Sequence, residues 1–297
     1  MTAIAADFAW YKPTVAQLRQ WGVTAAGMYI SHDPSKNATT QLVAAYAAAG
    51  VKTFLFAEDT ATEANGGYAA GVAKAKFSLP LATSYGMPGW APIIATVDED
   101  VPDYAPGSAN PLAKLGPVGQ YLTGWCDTIG IDRVAVYGSY YTCVRAIAAR
   151  VAKFAVQTIA WSGGQVDAKD IALYQNGQML AGGNVDVEVI ESAAGLNLIA
   201  WMPGQADPSA PPSSVPAWAD WPPGLVLQYG SKGDAVRVLQ TALRNSGIYG
   251  VRGITVDGDF GSQTLTAVRN FQFVKGLTVD GIAGPDTRAA LAALKDI

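Results

Sequence analysis

The side chains in this sequence best placed to do chemistry are carboxylates. The run Ile94-Ala-Thr-Val-Asp-Glu-Asp100 puts Asp98 and Asp100 two residues apart where an apolar stretch ends. On a strand, side chains alternate between faces, so Ile94, Thr96, Asp98 and Asp100 share one face and Glu99 takes the other. Two acids of unequal pKa that project together can supply a proton donor and a stabilising anion or base, the pair that glycosidic bond cleavage requires. Further acids recur where similar runs end. Asp7 lies near the end of Ile4 to Trp10, Glu58 and Asp59 close the run from Val51, and Asp186 falls within Val185 to Ile190. The alternative for Asp98 to Asp100 is a solvated acidic loop ahead of Pro102. Tyr29, Trp161 and Gln175 are candidate sugar contacts beside Glu58, because aromatic faces stack on pyranose rings and amides pair with hydroxyls.

Other chemistries are excluded by composition. His32 is the only histidine, so the chain cannot put two imidazoles on one metal or build a Cys2His2 zinc site. Zinc amidase and peptidase mechanisms fall away, and no metal or other cofactor is expected, since carboxylate chemistry needs none. A Ser/His or Cys/His nucleophile pair would have to use His32, which sits in the polar turn Ser31-His32-Asp33-Pro34. Cys126 and Cys143 lack CxxC spacing and read as two buried thiols, with one disulfide as the alternative. A net charge of −4 argues against nucleic acid as partner. The first thirty residues do not read as a signal peptide, and no apolar stretch approaches the roughly 18 residues of a membrane helix. A monomer is expected.

The acids need a frame. Residues 1–202 alternate β-like runs with helical stretches. The remaining runs are Ala25 to Ile30, Ala91 to Asp98, Arg133 to Tyr137, Gln157 to Trp161 and Ile171 to Gln175. Helical patterns fall at Thr14 to Trp21, Thr40 to Ala49, Asn65 to Lys76, Leu112 to Ile129 and Thr142 to Val151. Strands separated by helices imply parallel βαβ units, and eight of them in about 200 residues predict an α/β fold, a (β/α)8 TIM-like barrel. In such a barrel chemistry sits at the carboxyl ends of the strands, where these acids lie.

Residues 203–224 hold seven of the 17 prolines and no basic residue, and read as a semi-rigid linker in which Trp218 and Trp221 pack on a domain face. Residues 225–297 carry a repeat of period 23. Thr255-Val-Asp-Gly258 with Gly261, Thr264 and Ala267 recurs as Thr278-Val-Asp-Gly281 with Gly284, Thr287 and Ala290. Each copy is an Asp-Gly turn followed by a helix, opened by Ser262 or Pro285, with apolar faces Leu265, Val268 and Phe271, or Ala290, Leu291 and Leu294. A preceding helix from Asp234 to Asn245, closed by Gly247, completes a small three-helix domain. The acids concentrate before this domain: the chain carries a net −6 up to Gly224 and +2 after it.

The runs Gly230-Ser-Lys-Gly-Asp-Ala-Val-Arg-Val-Leu-Gln240, Val256-Asp-Gly-Asp-Phe-Gly261 and Gly284-Pro-Asp-Thr287 resemble the peptidoglycan-binding module of cell-wall hydrolases. The resemblance implies a wall anchor without catalysis and bacterial peptidoglycan as partner. In residues 1–202, Ala6-Asp-Phe-Ala-Trp-Tyr11, Met28-Tyr-Ile-Ser31, Pro92 to Asp100, Val136-Tyr-Gly-Ser139, Leu173-Tyr-Gln175 and Gly183-Asn-Val-Asp-Val187 resemble a glycoside-hydrolase-like family related to the family 25 lysozymes. There a strand-four Asp-x-Glu pair acts with an Asp on strand one and another on strand eight. The resemblance assigns those roles to Asp98, Asp100, Asp7 and Asp186. Asp100 stands where the relatives carry Glu, one methylene shorter, and Glu99 could replace it only if the strand bulges or twists. On this reading Asp100 protonates the leaving oxygen, Asp98 stabilises the oxocarbenium-like charge or orients the acetamido group, and Asp7 and Asp186 shape the pocket. The whole resembles a phage endolysin of lysozyme (muramidase) type, made in the host cytoplasm and released to the wall by a holin. The alternative is a non-catalytic or weakly active wall-binding protein with a degenerate barrel.

Overall fold

The structure, a computed structural model, describes residues 4–167, 171–191, 193–208, 224–246 and 254–293. Most of the expected linker, with Trp218 and Trp221, lies outside the described residues, as do Gly247 and Leu294. The chain divides into two compact units, Met1–Asp207 and Pro208–Ile297.

In the first unit eight strands close a barrel in sequence order: β1 (Ile4–Asp7), β2 (Val23–Ile30), β3 (Lys52–Ala57), β4 (Ile93–Thr96), β5 (Val134–Gly138), β6 (Phe154–Thr158), β7 (Ile171–Leu180) and β8 (Val185–Ile190). Six helices pack outside: α1 (Val15–Trp21), α2 (Thr40–Ala48), α3 (Gly67–Ser84), α4 (Pro111–Leu115), α5 (Pro117–Ile129) and α6 (Tyr140–Ala148). Their ends follow local chemistry. Thr14 and Gln17 form a capping box at the start of α1, and Gly22, with φ 75°, closes it in the left-handed region. The single helix expected over Leu112 to Ile129 is two, because Pro117 disfavours a helical residue before it and Gly116 takes φ 55°.

Period-two alternation splits the core. Ala6, Ala26, Met28, Leu55, Ala95 and Val136 face the helices, while Ala5, Ala25, Phe54, Ile94, Ala135 and Val156 fill the barrel. A seventh helix, α7 (Ala193–Ile199), which the sequence pattern did not suggest, adds Leu196 and Ile199 to that interior cluster.

The all-parallel expectation fails at the last strand. β8 runs antiparallel to both β7 and β1. Only Ala181 to Asn184 separate it from β7, where the amides of Gly183 and Asn184 donate to the Leu180 carbonyl, and four residues are too few for a crossover helix. Two strand ends also shift. β4 stops at Thr96, so Asp98 to Asp100 lie on the loop beyond it. β6 covers Phe154–Thr158 rather than Gln157 to Trp161, because the chain curls at once into a turn in which the Ser162 hydroxyl donates to the Thr158 carbonyl at 2.6 Å.

The second unit packs α8 (Asp234–Asn245), α9 (Ser262–Val274) and α10 (Pro285–Ala292) around Val236, Leu239, Leu243, Phe260, Val268, Phe271 and Leu291. The sequence repeat is a structural repeat. Gln240 on α8 lies 2.7 Å from Asp257 Oδ1 and 3.0 Å from Thr264 Oγ1 through its amide nitrogen, and its oxygen accepts from the Gly258 N–H at 2.8 Å. Gln272 on α9 repeats this with Asp280, Thr287 and Gly281 at 2.7, 3.0 and 2.9 Å. Each glutamine latches one Asp-Gly turn to a helix.

Candidate active site

At the carboxyl ends of the parallel strands the barrel interior turns from apolar to acidic. Asp7, the last residue of β1, is 1% exposed. Gly27 sits beside it on β2 and makes room for it, since a Cβ there would lie 2.5 Å from the Asp7 Cβ and 2.6 Å from the Phe54 ring. The antiparallel course of β8 brings the beginning of that strand to this end of the barrel, so Asp186 is directly opposite Asp7. Two residues further, on the same face and one layer deeper, Glu188 lies opposite Ala5 and is fully buried.

Hydrogen bonds orient the group. Tyr29 donates its hydroxyl to Asp7 Oδ1 at 2.9 Å, and Gln175 donates through Nε2 to Asp7 Oδ2 at 3.3 Å. The Gln175 amide can point only one way, because its oxygen already accepts from the Tyr137 hydroxyl at 2.7 Å and from Thr158 Oγ1 at 3.0 Å. Lys36 is buried, pairs with Glu58, and lies 4.6 Å over the Tyr29 ring.

The electrostatics raise the proton affinity of these carboxyls. Burial, then the charge of Asp186, push Asp7 up to about 7, against the donors that favour its anion. Asp98 is raised by burial and then by the Glu58 anion, with Lys36 pulling the other way. Asp186 is raised by burial. Glu188 is pushed well above the usual range by burial and by the Asp7 charge. Acids held above their ordinary values in one strand-end cluster can give up protons closer to neutral pH than free carboxyls do.

The structure thus brings together Asp7, Asp98, Asp186, Glu58, Tyr29 and Gln175. Asp100 is exposed, and the groups that act most on Asp98 are Glu58, Lys36, Asp186 and Glu99. Glu99, half-buried, accepts from Asn65 Nδ2 at 2.7 Å through one oxygen. Trp161 lies on the turn after β6, 40% exposed, with a left-handed φ of 54° unusual for a bulky residue. Sequence reading missed Glu188, Lys36 and Tyr137. The signal for Glu188 was present in the alternation of Asp186 and Glu188 along one strand face.

His32 is placed as an anchor beside this group. Its ring stacks on Phe77 at 3.8 Å, and its Nδ1 lies 2.7 Å from Asp59 Oδ2. Burial would raise Asp59, but Lys74, the His32 backbone and side chain, and Ser31 hold it low. Both cysteines are free, and burial pushes the Cys126 thiol up to about 12. Among the described residues no three His, Cys, Asp or Glu side chains are grouped to hold a metal ion, and no helix is long and apolar enough to cross a membrane.

No curated protein matches the sequence significantly. Among solved structures, the barrel is similar to the Mycobacterium tuberculosis Tat-secreted protein Rv2525c. Its complex with L-tartrate matches at TM-score 0.57 and 22% identity over 64% of this chain and 96% of that one, and its complex with HEPES at 0.55 and 23% over 63% and 94%. The SleB N-terminal domain is 43% identical over 23% of this chain and 90% of its own, with a TM-score of 0.22. Residues 232–291 match a peptidoglycan-binding domain. Residues 16–186, more than half of the chain, match the family described as Rv2525c-like, glycoside hydrolase-like domain. On that match the chain belongs to the Rv2525c-like, glycoside hydrolase-like family.

Proposed function

We propose that this protein is a peptidoglycan hydrolase whose barrel cleaves glycosidic bonds of the glycan strands while the C-terminal domain holds it on the wall. The observation that carries the reading is Asp98, raised by burial at the mouth of the barrel, with Asp186 on the opposite strand and Asp7 next to Asp186. Asp98 protonates the leaving oxygen, a role that falls to it because Asp100 is exposed. Asp186 faces the developing positive charge, and Asp7, held by Tyr29 and Gln175, extends the anionic surface beneath it. Trp161 offers a ring at the rim for a pyranose. A linked binding domain raises the local concentration of glycan at the barrel. In its finer form the reading is a lysozyme-type muramidase used as a phage endolysin and released by a holin.

A second reading, a barrel that holds glycan without cleaving it, draws support from Asp100, an exposed aspartate where the lysozyme relatives carry Glu. Digestion of purified peptidoglycan with mass analysis of the products separates the readings. New reducing ends that disappear in Asp98→Asn and Asp186→Asn support the glycosidase; new amino termini indicate an amidase or peptidase; binding with no products supports the second reading.

A further inference from the structure

Glu188 has no part in that scheme, yet it is a fully buried acid at the heart of the barrel. Its register places it opposite Ala5 of β1 and Gln175 of β7, directly below the level at which Asp7 faces Asp186. Neither of its oxygens receives an N–H or O–H from any described neighbour. Across β1 and β8 its diagonal neighbour is Asp7, and the Asp7 carboxyl is the side chain that acts most on it. Two carboxylates are both acceptors, so the two groups can hydrogen-bond only when one of them carries a proton. Asp7 already accepts from Tyr29 and Gln175, which favours its anionic form. Glu188 has no comparable donors and therefore keeps the proton.

The surroundings offer the pair little compensation. The titratable and charged groups facing it are Tyr29 from β2, Glu58 and Lys36 beyond the ends of β3 and β2, Asp98 beyond β4, Tyr137 of β5 and Asp186 of β8. The cation in this set, Lys36, is already paired with Glu58. Two adjacent anions without counter-charge at this depth would cost far more than retaining one proton.

We propose that Glu188 is a positioning residue that holds a proton at neutral pH and donates it to Asp7, fixing Asp7 as an anion aimed at the site. Its contribution to hydrolysis rests on the glycosidase reading; the shared proton does not. With three donors on Asp7, the anion is oriented before substrate arrives, so no reorganisation is needed as positive charge develops on the sugar.

The chain contains five glutamates, Glu58, Glu63, Glu99, Glu188 and Glu191, so labelling glutamate with carbon-13 at the side-chain carboxyl gives five resonances. At about pH 8, above the ordinary carboxyl range and above Glu63, which is raised by burial to about 6, one resonance is expected at the position of a protonated acid. It disappears in Glu188→Gln, and replacement of each of the other four glutamates assigns it by elimination if that variant does not fold. Five ionised glutamates in the unsubstituted protein overturn the proposal. Activity tests the positioning role: Glu188→Gln keeps a donor for Asp7 and Glu188→Leu does not, so the leucine variant should release reducing ends about tenfold or more slowly than the glutamine variant. Equal rates remove that role. If the unsubstituted protein cleaves no glycan, the glycosidase reading falls while the labelled carboxyl still decides the shared proton.

Discussion

Both compact units set a glutamine amide against an aspartate, and they do opposite things with it. In the C-terminal unit, Gln240 and Gln272 each complete a closed set of partners. Burial raises Asp257, but the Asp259 N–H and the Gln240 amide together outweigh it and the carboxyl lies below its ordinary value. Asp280 is lowered by the Ile282 N–H and then by Gln272. In the barrel, Gln175 makes the same contact with Asp7, yet Asp7 rises to about 7, because it is buried against other acids and away from water. The difference lies in what surrounds the pair. Backbone N–H groups at a solvent-facing turn stabilise an anion and make it a structural clasp. Stacked carboxyls in a dry interior leave charge unpaired, and that residual strain is what acid chemistry can use.

The largest effect that could break this contrast is on activity. Asp98→Asn should cut release of reducing ends from peptidoglycan by about 100-fold or more, the scale of a lost general acid. A loss under about tenfold would make Asp98 as structural as Asp257. Next in size, Gln240→Ala and Gln272→Ala should each destabilise the C-terminal unit by about 2–4 kcal/mol in urea unfolding, since both leave a turn N–H and a buried threonine short of partners. The repeated geometry predicts similar values for the two, and a large disparity would show that the latches are not equivalent.

Acid dependence should differ in sign between the units. Asp7 and Glu188 have folded-state values above the unfolded values near 4, so their stabilising contribution is full below about pH 4 and is lost as pH rises through the folded values, for Asp7 up to about 7. Glu188→Gln should therefore stabilise the barrel at neutral pH, by about 1–4 kcal/mol, and flatten its decline in Tm with rising pH. Asp280 lies below its unfolded value, so its contribution is present above about pH 4 and lost as pH falls; Asp280→Asn should flatten the acid side of the other transition. Thermal unfolding across pH checks both slopes, and slopes of one sign in the two units would end the comparison. The smallest effect concerns backbone strain. Trp161→Gly removes a left-handed tryptophan and should stabilise the barrel by about 0.5–1 kcal/mol while weakening glycan binding, measured by Tm and by pull-down on insoluble peptidoglycan.

Much of the fold was legible because its signals are local. Val185 to Ile190 alternates clearly enough that the expected and observed strands coincide. The helix from Asp234 to Asn245 likewise matches, its apolar spacing being helical throughout. Where punctuation interrupts a pattern, pattern alone misled. Pro117 divides one expected helix in two, and α3 runs through Pro80 to Ser84, beyond the Lys76 end that the pattern suggested. The fourth strand ends before its acids, so the two-residue spacing of Asp98 and Asp100 does not put both on one strand face.

By itself, then, the sequence determined which residue types are available and where each local element lies. One histidine left carboxylates as the main acid–base candidates, β-like runs and helical spacing located most of the elements, and the 23-residue repeat specified a turn-helix domain. Only the tertiary structure decided depth and partnership. A short turn after β7 reversed β8, which lifted Asp186 to the mouth and sent Glu188 below it. Gly27 left the space that Asp7 occupies, and Tyr137 with Thr158 turned the Gln175 amide toward it. The reason is physical: a carboxyl's proton affinity is set by the solvent, charges and donors around it, and these come from strands distant in sequence that meet only when the barrel closes.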